Sequence, residues 1–337
     1  MLLPDRNDIG FKLFKVQELI KHFNAKFKYF YHPTQNVSID ESMIGFKGKN
    51  PHIRQFMPNK RHARFGIKMW CLSDSANGYL CHFEICEGSQ GRRIGNGRSY
   101  THELIIRLMT AAGLLNRGHH LGIDNFFTSI ELLEELFTEN TTAIGAVRSN
   151  RKGLPDVCVK TKLKNKELIA ARKDNLLCLA YQDNSRKPIL QSTASKAGLI
   201  DTVNSRKQPV TRPAVIHAYN QAMGGVDFCA EKLYMAERRS LKWTNKVFFS
   251  LFGRAILNSY IIYHSNTSDR PKLSRYNFIV SALESMTSNF VPQKVIRRKR
   301  TRVEMEAARM GPTPLTQTVA GHPLDGHDLI KLPVGKK

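Results

Sequence analysis

The chain has 337 residues, and its 52 Lys and Arg set against 28 Asp and Glu leave a formal charge of +24. Hydrophobic residues at 41% and aromatic residues at 9% are enough for a sizeable core, which excludes a wholly disordered chain. No run of about 18 apolar residues occurs, so no transmembrane helix and no membrane partner are expected, and the start MLLPDRNDIGFK lacks the pattern of a signal peptide.

In chain order, the spacing of Phe11, Phe14, Leu19 and Phe23 predicts an amphipathic helix over 8–24, with Asp8 as its cap. NVSID (36–40) is short and β-prone. FGIKMWCLSD (65–74) and YLCHFEICEG (79–88) read as two strands joined by a turn through Asp74, Asn77 and Gly78. A helix is predicted over 99–116, striped by Leu104, Leu108, Ala111 and Leu115, with Gly118 just past its end. HHLGIDN (119–125) reads as a strand closing on Asp124, SIELLEELF (129–137) as a helix capped by Ser129, and TTAIGAVRS (141–149) as another strand. Strand, hairpin, helix, strand, helix, strand is the pattern of a mixed α/β core.

Residues 151–212 are Lys-rich with short β-like pieces, LLCLAYQ and KPILQST, and read as an insertion. Two helices are predicted after it, over 225–239 and 243–264. The second is apolar on nearly all sides and is expected to be buried. The tail from about 305 is expected to be poorly ordered. The resulting domain reading is 1–35, 36–150, 151–212, 213–240, 241–304 and 305–337.

Six Cys without a C-x-x-C argue against a disulfide framework or a structural zinc site, and read as reduced thiols. The positive charge falls in clusters. They include Lys60, Arg61, Arg64 and Lys68; Arg148, Arg151 and Lys152; and Arg238, Arg239, Lys242 and Lys246. Nucleic acid is the default partner of such a chain, and a solubilising surface is the plainer alternative. IRRKRTR, with Arg297, Arg298, Lys299 and Arg300, fits a nuclear localisation signal, a phosphate-contacting arm or a solvated tail. His119 and His120 are adjacent on a strand, point to opposite faces and cannot chelate one ion.

Three carboxylates stand out by position: Asp40 and Asp124 at the ends of β-like segments, and Asp227 in MGGVDFCAEKL at a Gly-rich helix entry. Carboxylates at the ends of neighbouring strands can lie side by side, and one from a helix can complete an oxygen cluster for Mg²⁺. Two such ions about 4 Å apart serve phosphodiester displacement. Each Asp also has an ordinary reading, as strand end, turn residue or helix cap.

The words around these residues resemble the piggyBac family of DNA transposases and host proteins derived from it. SIDESMIGFKGKNPHIRQFMPNKRHARFGIKMW looks like the block carrying the first catalytic Asp. GIDNFFTSIELLEEL is similar to the second block, and GAVRSNRKGLP to the family's G-T-[VL]-R-x-N-R-K-x-x-P. YNQAMGGVDFCAEKLYMAERRSLKWTNKVFFSLFGRAILNSYIIY is similar to the third. The resemblance implies an α/β, ribonuclease-H-like mixed-sheet core with an inserted small β-rich subdomain, flanked by helical DNA-binding and dimerisation segments. It implies Asp40, Asp124 and Asp227 as catalytic ligands of two Mg²⁺ ions, for which Mn²⁺ can substitute. It further implies double-stranded DNA as partner (transposon ends and a TTAA target), a homodimer and a nuclear location. Lys60, Arg64, Lys68, Arg148, Arg151, Lys152, Arg238 and Arg239 are the expected DNA contacts, and Tyr181 the expected base-stacking residue.

Two departures favour a second reading, a domesticated or decayed DNA-binding protein of the same fold without catalysis. The family's further Asp, three places after the third catalytic one, is Ala230 here, with Glu231 beside it. Most of the family's N-terminal domain and its C-terminal Cys-rich module find no counterpart in this sequence.

Overall fold

The computed structural model describes residues 13–49, 53–58, 64–87, 98–203, 207–231, 240–267 and 271–288. The chain divides into two units, Met1–Lys272 and Leu273–Lys337. In the second, helix α7 (Arg275–Thr287) is capped by Ser274, whose side chain accepts from the Asn277 N–H.

The first unit is organised around strand β1 (Asn36–Gly45). One edge of β1 pairs antiparallel with β3 (Phe65–Asp74), in register from Val37 with Asp74 to Gly45 with Gly66. The other edge pairs parallel with β5 (His120–Ile123), and β5 pairs parallel with β6 (Thr142–Val147). Beyond β3 lie β2 (Arg54–Phe56) and β4 (Leu80–Ile85), each paired antiparallel with it. Helix α2 (Tyr100–Ala112) leads from β4 to β5, and α3 (Ile130–Thr138) from β5 to β6. The order β4-β3-β1-β5-β6, three antiparallel strands followed by two parallel ones, is ribonuclease-H-like.

The sheet continues past β6 through β9 (Ile189–Ser192), β8 (Leu176–Tyr181) and β7 (Leu168–Lys173), all antiparallel. Short α4 (Asp156–Lys160) precedes these strands in sequence, while β10 (Leu199–Val203) and β11 (Pro209–Pro213) form a separate hairpin. Thus β7, β8 and β9 of the inserted segment extend the central sheet.

Strand β4 would leave one edge open, and two asparagines close it. Asn24 on α1 (Gln17–Phe30) donates to the Phe83 carbonyl at 2.9 Å and accepts from the Phe83 N–H at 3.1 Å. Asn258 on α6 (Trp243–Asn266) bonds both backbone groups of Leu80 at 3.0 Å. An amide side chain mimics a partner strand there and satisfies groups that would otherwise be stranded. Asp74, fully buried at the β3–β4 turn, accepts from Tyr31 Oη, Thr34 N, Thr34 Oγ1 and Ala76 N.

Helix α5 (Ala214–Glu231) lies directly on the sheet. A Cβ built on Gly122 would stand 2.9 Å from the Ala222 backbone, and one on Gly225 would stand 2.7 Å from Asp74 O and Ser38 Oγ. Ser75 Oγ donates to the Ala222 carbonyl. From α6, fully buried Arg254 donates to Cys229 Sγ on α5 at 3.3 Å and to Ser42 Oγ on β1 at 2.7 Å. One guanidinium therefore ties two helices to the central strand.

Several boundaries differ from the sequence reading. Helix α1 starts at Gln17 behind Val16 and runs to Phe30, and Asp8 lies outside the described residues. Helix α2 is stopped by Gly113, which holds φ +73° and donates to Met109 and Thr110, well before Gly118. Helix α5 begins at Ala214, which puts Gly224, Gly225 and Asp227 inside the helix and removes the helix-cap reading of Asp227. Helix α6 is not buried all round, because Phe248, Phe249 and Phe252 stay exposed.

Two outcomes test this packing. Gly225→Ala forces a methyl against Ser38 and the Asp74 carbonyl and should cost about 1–3 kcal/mol in urea unfolding. An unchanged midpoint would contradict the close seating of α5. Burial on β4 holds His82 down at about 4, and burial also lowers His120. The unfolded chain then takes up protons that the folded chain refuses. The contribution of these two histidines to stability should be complete above about pH 6.5 and fall as the pH drops below it, down to about 4 for His82, at up to about 1.4 kcal/mol per pH unit for each. His82→Gln should flatten that slope, and an unaltered slope would contradict it.

Candidate active site

The register of β1 and β5 aligns Ile39 with Ile123. The next step sets Asp40 beside Asp124, the first residue past β5. Paired residues on neighbouring strands point to the same face and stand about 4.8 Å apart. Asp40 is not at a strand end, since β1 continues five residues to Gly45. It sits where β1 loses its parallel neighbour, so one edge of the strand is open there. Its carboxylate Oδ1 accepts from the Glu41 N–H at 2.7 Å.

Asp124 is fixed by the turn that follows it. Its carbonyl accepts from Phe127 N at 3.0 Å, Thr128 N at 3.2 Å and Thr128 Oγ1 at 2.9 Å. Thr128 is buried against Gly145 of β6, where any Cβ would collide with its hydroxyl. Arg151 donates to the Phe126 carbonyl at 2.9 Å, and Arg148 Nε donates to Asn125 Oδ1 at 3.3 Å.

Tyr219 of α5 overlooks the pair. Its phenol is raised above its ordinary range first by burial, then by the charges of Asp124 and Asp40. Asp227 is exposed on the same helix, eight residues on. Tyr219, Met223 and Asp227 recur every four positions and share one flank. Among the described residues no three His, Cys, Asp or Glu stand close enough to hold a metal. The fold therefore brings Asp40 and Asp124 together and leaves Asp227 on the neighbouring helix, outside a closed group of three. Two adjacent carboxylates are the hard oxygen donors a divalent cation takes, and they fit such an ion.

Around this centre, Lys68 Nζ stands 3.8 Å over the Trp70 ring and 5.4 Å from that of Phe126. Trp70 and Phe126 stack at 5.8 Å. Arg64 is exposed at the start of β3. Lys152 joins Arg148 and Arg151 beside the Asp124 turn, on the wall of one cavity. Lys60, Arg238, Arg239 and the Arg297, Arg298, Lys299, Arg300 run lie outside the described residues. Tyr181 corrects its expectation: at 6% exposure it is packed among Leu177, Leu179 and Leu190 and offers no face to a base. Tyr219 and the Lys68–Trp70–Phe126 stack were not singled out from sequence, although the words YNQAMGG and DNFFTS contain Tyr219 and Phe126.

Carboxylates at the open ends of β1 and β5, on a ribonuclease-H-like sheet under a closing helix, define the class of a DDE-type transposase core. The family model described as Transposase IS4 matches residues 3–260, and the chain belongs to that family. It is 28% identical over 276 residues to human PiggyBac transposable element-derived protein 3, covering 77% of this chain and 45% of that protein. The human chimeric ERCC6-PGBD3 protein matches equally, with 25% of its length covered. The chain thus spans less than half the length of these relatives. A solved piggyBac transposase, in a synaptic complex with hairpin DNA, superposes with a TM-score of 0.72 at 25% identity. That match covers 83% of this chain and 58% of the other.

Thr128→Val keeps the shape of the buried side chain but removes the hydroxyl that holds the Asp124 carbonyl. Amide hydrogen exchange at Phe127 and Thr128 should quicken about tenfold, the equivalent of one lost hydrogen bond. Unchanged exchange would show that the turn does not depend on it.

Proposed function

We propose that this chain is the core of a piggyBac-type DNA transposase that cuts and transfers DNA strands with the aid of Mg²⁺. The observation that supports the reading is the register of β1 and β5, whose last pair, Ile39 with Ile123, comes immediately before Asp40 and Asp124. In this reading Asp227 completes the ligand set from α5, and Mn²⁺ substitutes for Mg²⁺. Asp40, Asp124 and Asp227 would hold the ions, two to a site, and bound ions would supply Lewis-acid activation of an attacking oxygen and stabilisation of a leaving one. The protein's own part is to bind, orient and exclude water. Asp40 and Asp124 fix the donor edge, and the neutral phenol of Tyr219 shields it. Arg148, Arg151, Lys152, Arg64, Lys68 and Lys60 hold phosphates, with Arg238 and Arg239 further along. Transposon ends are the DNA substrate, TTAA the target and a homodimer the working form. The basic run 297–300 directs the chain to the nucleus.

A second reading, DNA binding without catalysis, is favoured by one specific observation: the three carboxylates do not form a closed metal group, and Ala230 adds none. Nicking of a labelled end or hairpin substrate separates the two. Under the first reading cleavage requires Mg²⁺ or Mn²⁺ and falls at least about a hundredfold in Asp40→Asn, Asp124→Asn and Asp227→Asn. DNA binding persists in those variants and weakens steeply with salt. Equal signal from wild type and Asp124→Asn would leave only the second reading.

A further inference from the structure

The central sheet closes one of its ends and leaves the other open. Asn24 and Asn258 cover the edge of β4. At the far end β7 is the last strand of the path and pairs only with β8. The two strands are joined by a tight turn through Asp174, at φ +49°, and Asn175. Gln182 N donates to the Glu167 carbonyl at 3.0 Å, which sets the phase of the ladder. Odd-numbered residues of β7 therefore exchange bonds with β8, while Leu168, Ala170 and Arg172 turn their N–H and C=O groups outward. Among the described residues nothing in the chain bonds to those outward groups.

Open edges are ordinarily blunted by proline or by charge. Over Leu168–Ala171 β7 has neither. Its two faces are already occupied. Ile169 and Ala171 pack with the cluster around Cys158 and Cys178, and Leu168 and Ala170 with the one around Leu177 and Leu179. What remains on offer is backbone, a row of donors and acceptors that one more strand would satisfy.

The charge around this edge selects among strands. Lys162, Lys164 and Lys166 stand exposed before β7, and Arg172 and Lys173 at its end, against two carboxylates, Glu167 and Asp174. Glu167 is engaged by the Lys164 N–H at 2.7 Å. Lys160 is paired with Asp156, whereas Lys162, Lys164, Lys166 and Lys173 form no ion pair among the described residues. A second copy of this chain would bring the same excess of cations to the edge and be repelled. Nucleic acid would answer the lysines but leave the ladder groups unused. An extended acidic segment answers both.

We propose that the outer edge of β7 docks an extended acidic segment of another protein, added to the sheet as one more strand. Backbone pairing at Leu168, Ala170 and Arg172 holds the segment, and the lysines at either end of β7 choose its charge. The inference is independent of the DNA reading, because it uses neither the acidic edge nor the residues assigned to phosphates.

The probe is a fluorescein-labelled peptide of alternating Thr and Val with a pair of Glu at each end, titrated into the full chain and followed by anisotropy. It should bind at least about tenfold more tightly than the same peptide with Lys in place of Glu, and less tightly as salt rises. Bound peptide should slow amide exchange within residues 168–172. Ala170→Pro removes one outward N–H and no bond to β8, and should weaken binding about tenfold. The double change Lys164→Glu, Lys166→Glu should weaken it by a similar factor. Circular dichroism and unfolding midpoints establish that each variant is folded. No binding, binding that leaves 168–172 unprotected, or undiminished binding in either folded variant would overturn the proposal. Protection of the same amides by duplex DNA alone would overturn it in favour of nucleic acid. Self-association of the free chain that Ala170→Pro abolishes would overturn it in favour of a second copy.

Discussion

Everything at this site depends on how closely α5 approaches the sheet. Helix and strands normally stand apart by the thickness of their side chains. Here Gly122 on β5 and Gly225 on α5 remove that thickness at two points, and Ala222 and Ser38 fill what is left. The Ser75 bond to the Ala222 carbonyl and the Arg254 bridge between Cys229 and Ser42 fasten the contact from both ends. Because α5 sits this low, Tyr219 feels both Asp40 and Asp124, and the flank bearing Asp227 faces in the same direction as Tyr219. A helix lifted by one methyl layer would carry Asp227 away from the strand pair.

The second constraint is electrostatic. Two carboxylates side by side repel each other, and their neighbourhood must offset that. In this fold a basic shell surrounds the acidic edge: Arg148 and Arg151 brace the Asp124 turn directly, and Lys68 stands over the Trp70 ring. In the proposed reading the same shell suits the polyanion brought to the acidic edge, and it lets a chain of large net positive charge hold an acidic centre.

Much of this was legible in the sequence. The hairpin of β3 and β4, the strands β5 and β6, and the serine caps of α2 and α3 all carry local signals that tertiary packing did not override. Asp40 and Asp124 were picked out as candidates through the strand ends they were expected to close and through the family words around them. What failed had tertiary causes. Asp40 looked like a strand terminus because Asp and Glu disfavour strands, but the open edge beyond Ile39 accommodates a carboxylate within β1. Gly224 and Gly225 looked like a helix entry, whereas they lie within α5 and Gly225 is needed for contact. The aromatic residues of α6 looked buried because hydropathy does not say whether a partner covers them. Tyr181 looked available because burial by β9 and α5 is a property of the assembled sheet.

The central proposal is that Asp40, Asp124 and Asp227 come to share one site when a divalent ion binds. Iron-mediated hydroxyl-radical cleavage of the protein backbone tests it most directly, because Fe²⁺ bound in place of Mg²⁺ cuts only the chain beside it. The account predicts cuts, mapped by mass spectrometry, next to residues 40, 124 and 227, all suppressed together by excess Mg²⁺. Cuts that spare the segment around 227, or that Mg²⁺ does not suppress, would contradict it.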